Sequence, residues 1–250
     1  MSRALAASAL LMAMLFVAPG ASGQELALPK ITIDSGPAGS PQQAATALQI
    51  VAVLTVLSVA PAILLMLTSF TRVIIVLSLL RQAIGVQQLP PNQVLIGLAF
   101  FLTVFIMAPV GEQIRQTAWE PYAAKKISQN EALSLAMTPL RDFMLRQTRQ
   151  TDVALMVNLA KLPPPETAAD LPIHVMIPAF ALSEIRTAFQ IGFVLFIPFL
   201  IIDMVVASVL MSMGMMMLPP VMISLPFKIL LFVLADGWHL LVRALVAGFR

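Results

Sequence analysis

Several ionisable side chains interrupt the apolar sequence that follows Thr187, and three of them are acids or a histidine. Asp203 is the only charged residue between Thr187 and Phe227, and Asp236 and His239 lie in the next apolar segment. Charges inside apolar segments are costly unless they are paired, and carboxyl and imidazole groups in such places can relay protons. A proton relay through all three residues is therefore one hypothesis. Hydrogen bonding between helices is the simpler interpretation of Asp236 and His239, and we favour it.

Asp203 and Lys228 flank a methionine-rich stretch, one before it and one after it. If the chain turns back between them, the two side chains meet and form an ion pair. Each charge then offsets the burial cost of the other, and loss of one partner leaves the second uncompensated. The spacing predicts a hairpin that is closed by this pair.

Methionine is concentrated between Met204 and Met222, where it fills 7 of 19 positions. Gly214 lies within this cluster and Pro219-Pro220 follows it, which predicts a loop or a broken helix. Unbranched thioethers fill irregular gaps, so core packing explains the cluster as well as a deformable constriction does. Both hypotheses are open from the residues alone. The candidate gate residues are Met211, Met213, Met215, Met216 and Met217.

Glu184 directly follows Ser183 at the predicted entry to the third hydrophobic segment. Ser183 is expected to cap the helix there, and Glu184 to interact with the positive end of that helix. An ion pair with an arginine of another subunit is the alternative. Arg72, Arg81 and Asp236 are further candidates for an intersubunit or helix-capping role.

No group of residues forms a catalytic motif. Serine and histidine never occur in a recognisable nucleophile–base–orienter arrangement. Cysteine is absent from the sequence, and no His/Asp/Glu cluster has the spacing of metal ligands. The sequence therefore predicts no enzyme, no cofactor and no metal.

The elements that position these residues have an unusual composition. Of the 250 residues, 59% are hydrophobic and 11% are charged, and the mean hydropathy is +0.93. An ordinary soluble domain is about 45–50% apolar and about 25% charged, so a conventional soluble enzyme is excluded. The net charge of +3 is too small to indicate nucleic-acid binding. We predict an all-α membrane protein in which four hydrophobic helices form hairpins.

Composition divides the chain into five segments. A positive start, a short apolar run and a small-residue site predict a signal peptide that is cleaved rather than a retained helix. A charged middle segment, which contains a capping box at Ser128–Glu131, predicts short helices. The five are a signal peptide (1–23), a flexible periplasmic leader (24–43), a first hydrophobic hairpin (44–111), a helical periplasmic insertion (112–177) and a second hydrophobic hairpin with the methionine-rich loop (178–250).

The distribution of basic residues predicts an orientation. Arg72 and Arg81, with no acid between them, predict a short cytoplasmic connection at residues 72–93. The last two segments fit less well, because they contain costly polar side chains and because Arg243 falls in the supposedly external tail. Helices that face other protein rather than lipid would remove this conflict. The pattern therefore predicts an oligomer.

Several long sequence motifs are distributed over residues 44–250. They are SFTRVIIVLSLLRQAIG at 69–85, QQLPPNQVLIG at 87–97, PAFALSEIRTAFQIG at 178–192, and the methionine-rich stretch MSMGMMMLPP at 211–220, which continues into ISLPFK at 223–228 and DGW at 236–238. These motifs are highly specific, and together they resemble those of the FliP family.

This resemblance implies a subunit of the flagellar type III export gate in the bacterial inner membrane, at the flagellar basal body. Members of the family assemble in several copies, a pentamer by this resemblance, with FliQ and FliR into a closed helical pore beside FlhB and FlhA. The resemblance implies that unfolded flagellar subunits pass through the pore. It also implies that Met215, Met216 and Met217 form a sealing gasket with Met211 and Met213, and that the hairpins lie largely above the membrane plane.

Three alternatives accompany this interpretation. An injectisome export-gate homologue would share most of the motifs, although a cleavable signal peptide is more typical of the flagellar branch. A proton-coupled secondary transporter would use Asp203, Asp236 and His239, but such folds usually have two related halves. Here the methionine cluster and most buried charges occur only in the second half. A purely structural assembly scaffold is the third alternative.

Overall fold

The structure, a computed structural model, describes residues 41–86, 89–163, 171–215 and 218–249. The predicted signal peptide (1–23) and almost all of the predicted leader (24–43) lie outside these residues. The chain divides into two compact units, residues 1–58 and 59–250. Within the first unit, the described residues are helical, and the hydroxyls of Thr55 and Ser58 each donate to the carbonyl four residues earlier at 2.7 Å.

The described residues are helical and contain no strand, so the predicted all-α class is confirmed. A π-helical turn at Arg115–Trp119 continues α3 into α4. The helices are α1 (Pro41–Met66), α2 (Phe70–Ile84), α3 (Asn92–Ile114), α4 (Glu120–Ala123), α5 (Gln129–Gln147), α6 (Gln150–Leu159), α7 (Ile173–Ser212), α8 (Pro220–Leu234) and α9 (Gly237–Ala247).

Helix α2 is the most buried element, and the predicted short connection at residues 72–93 is wrong. Val73, Val76, Leu77 and Leu80 are buried at the i, i+3, i+4, i+7 spacing that places side chains on one helix face. Gly85 ends the helix with a left-handed φ of 88°, which a residue with a Cβ adopts only at a cost. The arginines suggested a loop, but the apolar spacing determines the structure.

Helix α7 is 40 residues long and contains Pro178 and Pro198, so at 1.5 Å per residue its length is about 60 Å. Helix α2 packs closely against it at Gly192. A Cβ at Gly192 would lie 2.2 Å from Leu79 Cδ1 and 3.1 Å from Leu79 Cβ. The absence of a side chain at this position allows the two helices to approach.

Two hydrophobic clusters make up the core of the second unit. One is centred on α2 and is completed by residues of α3, α7 and α9, among them Ala99, Ala188 and Leu241. The other joins α5, α6 and α7 through Phe143, Val157 and Phe180. Phe249 packs against both clusters.

The helices of the charged middle segment begin and end partly as predicted. Ser128 Oγ accepts a hydrogen bond from the Glu131 backbone N–H at 3.3 Å, which caps the N-terminus of α5. This side of the predicted capping box is confirmed. Within the described part of residues 112–177 the structure has α4, α5 and α6, and α3 and α7 extend into this segment from its two ends.

Two stretches are long and apolar enough to cross a membrane, Asn92–Ala123 and Ile173–Ser212. Helices α8 and α9 qualify only as a pair, and the pair is bent by 63°. In the part of the chain that the structure describes, this gives two spans, or three if the bent pair is one span. A shorter apolar stretch lies at Ala47–Ile63 within α1. The predicted number of four hydrophobic helices stays a prediction.

Candidate functional site

The hairpin formed by α7 and α8 brings Asp203 and Lys228 together. Lys228 Nζ lies 2.6 Å from Asp203 Oδ2, and Ser224 Oγ donates to Asp203 Oδ1 at 2.6 Å. Lys228 is buried, whereas the Asp203 side chain is 29% exposed. Both oxygens of the carboxylate are therefore occupied by donors from α8, and the hairpin is held closed on the side of its turn.

Lys228 also connects the hairpin to the core. Its ammonium donates to the carbonyl of Ala83 at 3.2 Å, in the last turn of α2. The last carbonyls of a helix have no partner within that helix, and they carry the negative end of its dipole. The Lys228 ammonium thus binds both the Asp203 carboxylate on α7 and a carbonyl at the C-terminus of α2.

Replacing Asp203 with alanine should harm assembly more than replacing it with glutamate, because alanine leaves the buried Lys228 ammonium without its carboxylate. Partial exposure of the pair limits the expected loss of stability to about 1–2 kcal/mol. Recovery of assembled protein from the membrane, together with its thermal unfolding in detergent, measures the difference. Equal assembly of the two variants would argue for another role of Asp203.

The methionine-rich turn lies at the tip of this hairpin. Helix α7 ends at Ser212, Gly214 adopts a φ of 72°, and α8 begins at Pro220. The methionines that the structure describes there expose much of their surface, 62% for Met211, 65% for Met213 and 44% for Met215. Met216 and Met217 lie outside the described residues.

Exposed thioethers at this turn do not pack into the core of this chain. Large apolar residues on both helices of the hairpin are also exposed, including Phe193 and Val205 on α7 and Leu230 on α8. Soluble monomers rarely expose continuous apolar surface of this extent. The hairpin is therefore a surface that lipid or other protein must cover.

A second buried ion pair joins Arg72 on α2 to Glu184 on α7. Arg72 Nε donates to Glu184 Oε2 at 2.9 Å, and its Nη2 donates to Oε1. Arg72 is 3% exposed and Glu184 is fully buried. This bidentate pairing matches the planar guanidinium to the carboxylate.

The predicted helix-capping role of Ser183 and Glu184 is wrong. Helix α7 begins at Ile173, so both residues lie well inside it rather than at its first turn. The partner of Glu184 is Arg72 of the same chain, so the predicted alternative of an arginine from another subunit is not the contact seen here. The helix begins early because its first apolar residues pack into the second cluster, which the local pattern did not reveal.

Arg72 makes three further contacts that draw other elements to the pair. It donates to Gln147 Oε1 and to the carbonyl of Gly248, both at 3.0 Å. Its guanidinium carbon lies 3.8 Å from the ring centroid of Phe249, a cation–π distance. The ring of Phe249 in turn stacks on Phe143, at 6.1 Å between centroids. The Arg72 guanidinium therefore connects α2 with α5, α7 and the segment after α9, because residues of all three contact it.

The sequence reasoning missed a neighbouring polar contact between α6 and α7. Buried Asp152 accepts from Ser183 Oγ at 2.7 Å and from Arg186 Nη1 at 3.3 Å. The backbone N–H of Arg149 donates back to Ser183 Oγ at 3.1 Å. The sequence does contain a signal for this contact, because Ser183, Glu184 and Arg186 place donor and acceptor side chains close together on α7. Ser183 and Arg186 contact α6, and Glu184 contacts α2.

Arg81 lies in the last turn of α2, and Asp236 lies directly before α9. Arg81 donates to Asn92 Oδ1 at 2.7 Å and to the carbonyl of Pro90 at 3.2 Å, and so attaches α2 to the start of α3. Asp236 is the residue before α9 and has a left-handed φ of 49°, without a side-chain capping hydrogen bond. Of the roles considered for them, the described structure shows a contact within the chain for Arg81 and no side-chain cap for Asp236.

The groups of the hypothetical proton relay do not converge in this chain. Asp203 pairs with Lys228, whereas Asp236 lies eight residues beyond Lys228, after the end of α8 at Leu234. Asp236 and His239 are exposed at the bend between α8 and α9. Within the described residues, no group of three or more His, Cys, Asp or Glu side chains is placed to hold a metal.

The fold and these contacts define a class, an all-helical protein with apolar helices of membrane-spanning length, organised around buried ion pairs. A model of the FliP family matches residues 53–245. The chain therefore belongs to the FliP family.

Relatives named flagellar biosynthetic protein FliP are similar to it over most of their length. The protein of Bacillus subtilis (strain 168) is 59% identical over 209 residues, which cover 84% of this chain and 95% of the relative. That of Pectobacterium carotovorum subsp. carotovorum is 52% identical over 236 residues, covering 94% and 90%. That of Caulobacter vibrioides is 55% identical over 202 residues, covering 81% and 76%.

Proposed function

We propose that this chain is a pore-forming subunit of the flagellar type III export gate, and that its methionine-rich turn seals the pore. The observation that carries the proposal is the exposure of Met211, Met213 and Met215 at the tip of a hairpin that a partly buried ion pair holds closed. Membership of the FliP family supports the flagellar setting.

The chemistry of methionine suits a seal around varied cargo. Its side chain is unbranched and polarisable, so neighbouring thioethers can close against one another and still adapt to different surfaces. Gly214, with its positive φ, turns the chain sharply at this place, while Asp203 and Lys228 fix the base of the hairpin. A deformable tip on a rigid support can open for an unfolded chain and close behind it.

The gate is a ring of copies. The apolar residues left exposed on α7 and α8 would be covered by neighbouring subunits, and the resemblance to the family suggests five copies together with FliQ and FliR. FlhB and FlhA would lie beside the ring. The assembly belongs to the inner membrane at the flagellar basal body, with much of its mass toward the periplasm. In this proposal the subunit has no enzyme activity, and the energy for export comes from elsewhere in the apparatus.

An injectisome export gate would use the same seal on other cargo, and the flagellar names of the relatives favour the flagellar branch. For a proton-coupled transporter, Asp203 is the key carboxylate, and its two oxygens are already occupied by Lys228 and Ser224. The native mass of the detergent-purified particle separates these classes. A large complex with small hydrophobic partners supports the gate, and a monomer or dimer supports the transporter.

Replacing Met215–Met217 with glycine or alanine should make the inner membrane leak ions and small solutes, because the smaller side chains no longer close the pore. Solute entry into cells or vesicles that contain the assembled complex measures the leak. The matched control replaces three methionines away from the turn, Met66, Met137 and Met156, and should leave the permeability unchanged. Unchanged permeability in the assembled Met215–Met217 variant would refute the seal.

A further inference from the structure

A groove between α3 and α9 is apolar along most of its length and carries basic groups. Its volume is about 830 Å³. Its lining includes Phe105 from α3 and, from α9, Trp238, His239, Val242, Arg243 and Val246. Phe105, on the membrane-length stretch Asn92–Ala123, exposes most of its ring. The groove is thus open along a helix that is apolar enough to lie in a bilayer.

The two basic side chains of the groove lie one helical turn apart. His239 and Arg243 are at i and i+4 of α9, a spacing that places them on the same face. Leu241 and Leu245 are buried on the opposite face, against the core. Helix α9 therefore turns its apolar positions inward and presents its two basic groups, with Val242 and Val246 beside them, to the groove.

Arg243 lacks the kind of partner that other arginines of the chain have. Arg72 has Glu184 and Arg81 has Asn92, whereas Arg243 makes no hydrogen bond or ion pair with any residue that the structure describes. No acidic side chain lines the groove. An unpaired guanidinium on an apolar surface is costly in a membrane. A negatively charged ligand in the groove would therefore lower the free-energy cost of Arg243.

We propose that this groove binds an anionic phospholipid. The guanidinium of Arg243 and a ring N–H of His239 bind the headgroup phosphate, a pairing for which the guanidinium is well shaped. An acyl chain lies along Phe105, Val242 and Val246. Trp238, whose ring joins an apolar body to one N–H donor, lies beside the headgroup, as tryptophan commonly does at membrane interfaces. Charge complementarity and the apolar lining together select this ligand over a soluble anion, which would leave the lining uncovered.

Trp238 allows the proposal to be tested directly. The chain has two tryptophans, so Trp119→Phe leaves Trp238 as the only fluorophore of its kind. The full-length protein is reconstituted in phosphatidylcholine nanodiscs that contain a small, equal fraction of brominated phosphatidylglycerol or brominated phosphatidylcholine. We expect brominated phosphatidylglycerol to quench Trp238 more strongly than brominated phosphatidylcholine does. The affinity of the groove for phosphatidylglycerol should be about five-fold higher, which is the effect of one basic group on an anionic lipid nearby.

Three variants assign the effect to the groove. Arg243→Gln should remove the preference for phosphatidylglycerol, Arg243→Lys should keep most of it, and Lys126→Gln, which removes an exposed charge elsewhere, should change nothing. Soluble glycerol phosphate should not abolish the preference, because it has no acyl chain. Equal quenching by both lipids, absence of quenching by either because a neighbouring subunit fills the groove, loss of the preference with glycerol phosphate, or a preference that survives Arg243→Gln would each overturn the proposal.

Discussion

Replacing Glu184 with alanine should destabilise the protein by about 3–5 kcal/mol, because the charge of Arg72 then stays buried without its carboxylate. Gln147 and the carbonyl of Gly248 still accept hydrogen bonds from Arg72, but neither carries the opposite charge. A protein with a total stability of about 5–15 kcal/mol loses a large fraction of it in this way. Denaturant unfolding in detergent, followed by circular dichroism, measures the change.

Two comparisons test whether the unpaired charge is the cause. Glu112→Ala breaks an ion pair with Arg115 in which both side chains are about half exposed, and should destabilise the protein far less than Glu184→Ala, because solvent screens the exposed charges. The double variant Arg72→Met with Glu184→Leu removes both charges and keeps the volume, and should recover most of the lost stability. A double variant as unstable as Glu184→Ala would mean that the shape of the contact, rather than its charge, holds the helices together.

Gly192→Val should destabilise the contact between α2 and α7, at the upper end of the about 1–3 kcal/mol that overpacking costs. The added Cβ would overlap Leu79 Cδ1 at 2.2 Å, and Leu79 Cβ and Cγ lie within 3.2 Å. A rotation of the leucine therefore cannot clear the whole clash, and the helices must separate. Thermal unfolding and the yield of assembled complex both report this loss.

The chain offers a matched control on another helix. A Cβ at Gly97 on α3 meets nothing within 4 Å, so Gly97→Val should be close to neutral. Leu79→Ala combined with Gly192→Val should restore part of the stability, because it empties the space that valine needs. If Gly97→Val is as harmful as Gly192→Val, helix propensity rather than close packing is responsible.

The long helices were predictable because their charges are rare. Residues 92–111 carry no charge and residues 187–212 carry only Asp203, and long apolar stretches of this kind are typical of helices such as α3 and α7. Helix α2 was missed for the opposite reason. Its two arginines were interpreted as loop charges, although the spacing of Val73, Val76, Leu77 and Leu80 already indicated a buried helical face.

The partly buried pair Asp203–Lys228 and the buried pair Arg72–Glu184 differ in how far the sequence could reveal them. Asp203 and Lys228 lie 25 residues apart on either side of one turn, so a hairpin alone brings them together. Arg72 and Glu184 lie 112 residues apart, and their meeting depends on how α2 packs across α7. Local capping rules assigned Glu184 to a helix start, because a single sequence gives no direct information about such a distant partner.

The separation of Arg72 from Glu184 also determines when, during synthesis, the charge is neutralised. At about 5–20 residues per second, a ribosome needs roughly 6 to 22 s to make the 112 residues between them. For that time α2 carries an arginine without its carboxylate, and the contact with the carbonyl of Gly248 forms later still. The Arg72–Glu184 contact between α2 and α7 can therefore form only after the ribosome has made residue 184, so α2 reaches its final packing late in synthesis.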